Sequence, residues 1–134
     1  MNSPSKGELK IKKILEENSI TFTQEFSFPD LKGKKGTLLR YDFAIHKGNR
    51  IICLLDYDGI QHFSYVPFFH KTPTNFKKMQ ERDRRKNKYC LVNHIPLLRI
   101  PYWDYDKLTY FNLFNTKEYV VKSLFHNDYL KEVK

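Results

Sequence analysis

Apolar positions in the first seventeen residues recur at helical spacing. Leu9, Ile11, Ile14 and Leu15 form one stripe, and Ser5-Lys6-Gly7-Glu8 has the S-x-x-E spacing of a capping box, which predicts an amphipathic helix over residues 5–17 ended by Asn18. The period then shortens to two: residues 21–28 (TFTQEFSF) alternate as a half-buried strand does. Pro29 to Gly36 reads as a basic, glycine-containing loop, residues 37–46 as a second strand, and Lys47-Gly48-Asn49 as a turn. Residues 50–57 (RIICLLDY) are apolar almost without interruption, which implies burial on both faces and a central place in the sheet. An irregular stretch over 58–74 precedes the longest helix, 75–93. A fourth strand follows at 96–102, then two shorter helices at 105–114 and 116–127. The order αβββαβ with a helical C-terminal extension predicts one α/β domain, a mixed four-stranded sheet flanked by helices, with its core over about residues 5–105.

The 134 residues suffice for one hydrophobic core and are too few for two catalytic domains; 40% hydrophobic and 16% aromatic content argues against a disordered chain. Lysine and arginine number 24 against 15 acids, a formal charge of +9, which favours a polyanionic partner without naming one. Cys53 and Cys90 sit in apolar surroundings with no CxxC pair, the pattern of buried thiols and not of a disulfide framework or a zinc finger. No segment has the apolar length of a membrane span or of a signal peptide, so a cytoplasmic protein with no membrane partner is expected.

Candidate chemistry begins on the third strand. Asp56 and Asp58 are two residues apart and point to the same face if the strand runs that far. A charge ending an apolar strand needs compensation, and a divalent cation is one form of it. The turn at 47–49 places Asp42 roughly opposite residues 54–56, so Asp42 and Asp56 can share a cation; hard oxygen ligands with room for water suit Mg²⁺ or Mn²⁺. The same acids also suit a turn cap or a surface ion pair, and Asp58-Gly59 is an ordinary turn dipeptide. On the long helix, Phe76, Met79, Asp83, Asn87 and Cys90 share the core-facing stripe, and an acid at Asp83 calls for a partner. His62, four residues after Asp58, is one partner and would serve as a general acid or base; Arg82, Arg84, Arg85 and Lys86 are the others. The outward faces carry Lys77, Lys78, Arg82, Arg84, Arg85 and Lys88, a surface suited to a phosphate backbone, and Lys32, Lys34 and Lys35 extend it or form a solvated loop. Tyr57, Phe63, Tyr65, Phe68 and Phe69 supply rings for base stacking or for the core. Glu8 serves the capping box or reaches a metal-bound water.

These residues, in this order, resemble the PD-(D/E)XK nuclease superfamily. The resemblance is carried by Asp42 in R-Y-D-F, by L-L-D-Y-D-G-I-Q-H, by the R-D-R-R-K helix and by I-P-L-L-R-I-P-Y, over residues 5 to 105. It is nearest to the very-short-patch-repair-like branch, with its phage and homing endonucleases of E-D-x-H-D pattern. The resemblance implies a restriction-endonuclease-like fold, Mg²⁺ or Mn²⁺ as cofactor, double-stranded DNA as substrate, and scope for a homodimer; for a phage-encoded protein it implies the host cytoplasm. Asp42 matches the metal-binding aspartate and Asp56 the second acid. Asp58 stands where the usual motif has lysine. His62 with Asp83 matches the histidine and aspartate of the branch, Glu8 its helix-one glutamate, and Lys86 is a candidate replacement for the missing lysine. Two other classes stay open: a DNA-binding module that keeps the fold without catalysis, and a phage protein that binds or inhibits another protein.

Overall fold

The computed structural model describes residues 5–114 and the backbone of residues 122–123. Helix α1 (Lys6–Glu17) opens on Ser5, whose hydroxyl accepts the Glu8 N–H, and closes at Asn18. Three antiparallel strands follow: β1 (Phe22–Lys32), β2 (Leu38–Lys47) and β3 (Arg50–Asp58). β2 and β3 are joined through Gly48 and Asn49, with Gly48 at φ 62°, where a tight hairpin needs a residue that tolerates the left-handed region. A short helix α2 (Pro67–His70) interrupts the irregular stretch. Helix α3 (Pro73–Val92) is capped by Thr72, and β4 (Leu97–Pro101) then lies parallel to β3.

The sheet order is β1-β2-β3-β4-β5, so β3 is central, as its apolar run predicts. β1 ends four residues later than expected and takes in Pro29. Proline has no N–H to donate to a ladder, and β1 is an edge strand whose register shifts between Ser27 and Lys32, so the position tolerates it. Two departures concern the C-terminal part. A 3₁₀ segment (Tyr102–Lys107) and a five-residue α4 (Tyr110–Phe114) replace the helix expected at 105–114. Residues 122–123, expected inside a helix, form β5, which pairs parallel with β4 and makes a fifth strand; the rest of 116–127 lies outside the described residues. The free edge of β4 offers unpaired main-chain groups, and pairing there satisfies them.

Two cores sandwich the sheet. Ile11 and Leu15 of α1 pack with Phe43, Ile45, Leu55, Tyr57, Leu98 and Ile100. Cys90 of α3 packs with Leu39, Tyr41, Ala44, Leu54 and Leu97 on the other face. Strand alternation explains most of this division: Leu54 faces α3 and Leu55 faces α1. It also turns Asp56 and Asp58 to the side of α3, together with Arg99, their neighbour on β4.

Candidate active site

β2 breaks its own alternation at Asp42. Tyr41 and Phe43 are two residues apart and should share a face, yet Tyr41 packs in the α3 core and Phe43 in the α1 core. The regular β2–β3 pairing also ends here, its last pair being Phe43 with Leu55. The carboxylates take over the job of the ladder: Asp56 Oδ1 accepts the Asp42 N–H at 2.9 Å, and Asp42 Oδ2 accepts the Tyr57 N–H at 2.7 Å. On the opposite neighbour, Glu25 sits at φ 51°, between the pairs Gln24–Phe43 and Phe26–Tyr41. The sheet therefore opens at one point, and the opening is filled by acids.

Two other elements complete this end of the site. Lys86 of α3 is buried, its Nζ 2.5 Å from Asp56 Oδ2 and 4.8 Å from the centre of the Tyr41 ring. The Tyr41 hydroxyl donates to the Lys86 carbonyl, which fixes that turn of the helix over β2. The Asp56 Oδ2–Lys86 contact is an ion contact without an aligned hydrogen bond. On the other face, Gly7 lets α1 lie directly on the Tyr57 ring, where a Cβ would overlap ring carbons. That close approach brings Glu8 within electrostatic range of Asp42 and Asp56. Burial, then Asp56, push the Asp42 carboxyl well above its ordinary range, with Glu8 adding to it and Lys86 opposing. Burial also raises Glu8, against the hydrogen bond from Ser5. Three carboxyls thus meet near Lys86, and Arg99 Nη2 also reaches Asp56 at 3.5 Å.

A second set of acids is fully provided for. Arg99 is buried in β4 and its Nη1 grips Asp58 through both oxygens at 2.9 Å. Its Nε donates to Asn87 Oδ1 at 2.6 Å, and its Nη2 lies 3.5 Å from both Asp56 Oδ2 and Asp83 Oδ1. His62 Nδ1 is 2.8 Å from Asp83 Oδ2 and 3.6 Å from Asp58 Oδ1. Burial alone would discharge this imidazole; Asp58 and Asp83 outweigh it and push its pKa up to about 9, so His62 is an imidazolium at neutral pH. Asp83 is drawn down to about 2: burial opposes ionisation, and Arg99 and His62 overcome it. Burial raises the Asp58 carboxyl, against Arg99 and His62.

His62, Asp83 and Lys86 line a groove of about 760 Å³ between α3 and the loop from Gly33 to the start of β2. Its walls are basic: Lys34, Lys35 and Arg40 on one side, Lys78, Arg82 and Arg85 on the other. Glu81 ties them together, 3.1 Å from Lys34 and 3.3 Å from Arg85.

The structure thus brings Asp42, Asp56, Glu8 and Lys86 together, and His62 with Asp83. Asp58 goes to Arg99, with both oxygens held, and not to Asp42. Glu8 keeps its capping contact with Ser5 as well. Lys78, Arg82 and Arg85 line the groove; Lys77 and Arg84 are exposed but are not among its lining residues. Of the rings, Tyr57 is core and Phe63 packs at a tilt against Trp103, while Phe68 and Phe69 are exposed. Arg99 is a site residue that the sequence patterns do not mark. The available signal was a lone arginine among apolar residues in a strand whose five residues are all buried.

Among the described residues no three His, Cys, Asp or Glu side chains form a ready cation cage. A cation that keeps much of its water needs only one or two carboxylates besides substrate phosphates, and Asp42 and Asp56 are the residues that could supply them. Among the described residues no helix is long and apolar enough to cross a membrane.

No protein-family model matches the chain, and no solved structure matches it. It is similar to uncharacterized protein 307L of invertebrate iridescent virus 6, 38% identical over 56 residues, 42% of this chain and 28% of that protein. It is also similar to uncharacterized protein 033L of invertebrate iridescent virus 3, 28% identical over 99 residues, 73% of this chain and 50% of that protein. The chain spans half or less of the length of these viral relatives.

Proposed function

We propose that the chain is a metal-dependent DNA endonuclease of the PD-(D/E)XK type, with a restriction-endonuclease-like fold. The observation that carries the reading is the opening of the sheet at Asp42 and Asp56. There a buried carboxyl pair meets Lys86, and Lys86 shares a basic groove with the His62–Asp83 pair. Asp42 and Asp56 would hold Mg²⁺ or Mn²⁺, with Glu8 adding negative charge behind them. When bound, the cation supplies Lewis-acid polarisation of the phosphate and offsets the charge that builds on it.

The chain's own residues supply the rest. Lys34, Lys35, Lys78 and Arg82 hold backbone phosphates along the groove walls. Water attacks phosphorus and gives up one proton to solvent, from which His62 is afterwards recharged; one P–O bond forms and the bond to the departing oxygen breaks. His62 hands that oxygen a proton, held in place by Asp83 through Nδ1, which leaves Nε2 for the substrate. Lys86, which reaches Asp56 from α3 and not from the strand, would take over the work of the missing motif lysine. The experiment is cleavage of end-labelled duplex oligonucleotides with Mn²⁺. Asp42→Ala and His62→Ala should abolish it, and cleavage persisting unchanged in both variants would end this reading.

A DNA-binding module without catalysis is the second reading, favoured by Asp58, which replaces the motif lysine and is locked to Arg99. Calorimetric titration with Mn²⁺ separates the two, since a pure binding module has no need of the cation.

A further inference from the structure

We infer that Arg99 is a positioning residue: it fixes the His62 imidazole in the groove by holding both carboxylates that face it. The inference rests on the proposed role of His62 and names a residue that role requires.

The geometry divides each carboxylate between two partners. Asp83 gives Oδ2 to His62 Nδ1 at 2.8 Å and turns Oδ1 to Arg99 Nη2 at 3.5 Å. Asp58 gives both oxygens to Arg99 Nη1 and still lies 3.6 Å from His62 Nδ1. Of its remaining donors, Nε reaches Asn87 Oδ1 of α3 at 2.6 Å, and Nη2 reaches the Asp83 carbonyl of α3 at 3.4 Å and Asp56 Oδ2 of β3 at 3.5 Å. One planar guanidinium therefore ties the end of β3 to the turn of α3 that carries Asp83. Arg99 is 1% exposed and is not among the residues lining the groove, so it acts on substrate only through others.

Rigid divergent donors are what this task needs. A lysine at 99 would bring the same charge but could not grip Asp58, Asn87 and Asp83 at once. A buried ion pair that merely supported the fold could be replaced as a unit without disturbing His62. The two roles therefore differ in what happens to the histidine when the fold survives.

The test uses the full chain, metal-free, with three proteins: wild type, Arg99→Lys, and the double variant Arg99→Met with Asp58→Asn, which leaves no orphan charge. Circular dichroism reports folding, and nitrogen-detected NMR reports the His62 Nδ1–H hydrogen bond to Asp83. Wild type should show a slowly exchanging low-field Nδ1 proton. At least one folded variant should lose it and cut DNA about 10²-fold more slowly at saturating metal, the scale of a misplaced catalytic group. An unchanged Nδ1 proton in the folded variants overturns the inference, and so does loss of folding in both, which would make Arg99 a structural residue alone. If wild type cuts no DNA, the nuclease reading fails, while the NMR result still decides whether Arg99 positions His62.

Discussion

Asp56 accepts the main-chain N–H of Asp42, and Asp42 accepts that of Tyr57, so two carboxylates on neighbouring strands replace the hydrogen-bond ladder where it ends. This exchange seats both acids in the opening of the sheet, with one oxygen of each anchored. The Asp42 carboxyl is raised well above its ordinary value by burial and by Asp56. An acid raised in the folded state lowers stability once pH exceeds its unfolded pKa. At neutral pH Asp42→Asn should therefore raise the melting temperature of the metal-free protein. Mn²⁺ should stabilise wild type according to its occupancy and leave the variant unshifted. Differential scanning fluorimetry with and without Mn²⁺ checks both; equal Mn²⁺ shifts in the two proteins would remove Asp42 from the cation site.

Lys86 pairs with Asp56, one of the two proposed cation ligands, and it lines the groove. Its loss should separate two quantities that a passive strut would not. Lys86→Met should bind Mn²⁺ more tightly, because a competing charge is gone, while turnover falls about 10²–10³-fold, the usual scale for one charge-stabilising group. Calorimetry and single-turnover cleavage measure the two. Weaker Mn²⁺ binding in the variant would contradict this account of Lys86.

The His62–Asp83 pair gives stability a defined pH dependence. His62 has its folded pKa raised to about 9, so its contribution is complete below the unfolded value near 6.5 and is lost as pH rises through 9. Asp83 is depressed to about 2, so its contribution is present above the ordinary carboxylate value and is lost as pH falls through 2. Thermal unfolding between pH 6 and 10 should show the melting temperature falling through the alkaline part of that range in wild type. The fall should be shallower in His62→Gln, and a parallel decline in both proteins would place the alkaline transition elsewhere.

Gly7 has a positional reason that its capping-box surroundings do not reveal. A methyl group there overlaps the Tyr57 ring, so Gly7→Ala must lift α1 from the sheet. Overpacking of this kind costs about 1–3 kcal/mol, and it should displace Glu8 together with the helix. Urea unfolding reads the first effect and Mn²⁺ affinity the second. A variant as stable as wild type would show that α1 does not rest on Tyr57.

What the sequence made legible follows from local rules. The turn at Gly48 sets the hairpin register, and the register puts Asp42 next to Asp56; alternation along β3 puts Asp58 on the same face. The link between His62 and Asp83 came from an acid on an otherwise apolar helical stripe. The role of Arg99 is not legible locally, because it depends on β4 lying parallel to β3, which brings Arg99 to Asp58 41 positions earlier in the chain. The reversal of faces at Asp42 was equally hidden, since it appears only when Tyr41 and Phe43 are assigned to different cores. The ends of β1 and of the C-terminal helix were misplaced for a related reason. Pro29 reads as a breaker until its strand is known to be an edge, and residues 122–123 take strand form only beside β4.

The most direct test of the account is a supercoiled-plasmid assay with wild type and Asp42→Asn in Mg²⁺, Mn²⁺ or EDTA. Wild type should yield nicked or linear DNA with either metal and neither product in EDTA, and Asp42→Asn should yield neither under any condition. Cleavage by Asp42→Asn at the wild-type rate, or cleavage by wild type in EDTA, would contradict a cation held between Asp42 and Asp56.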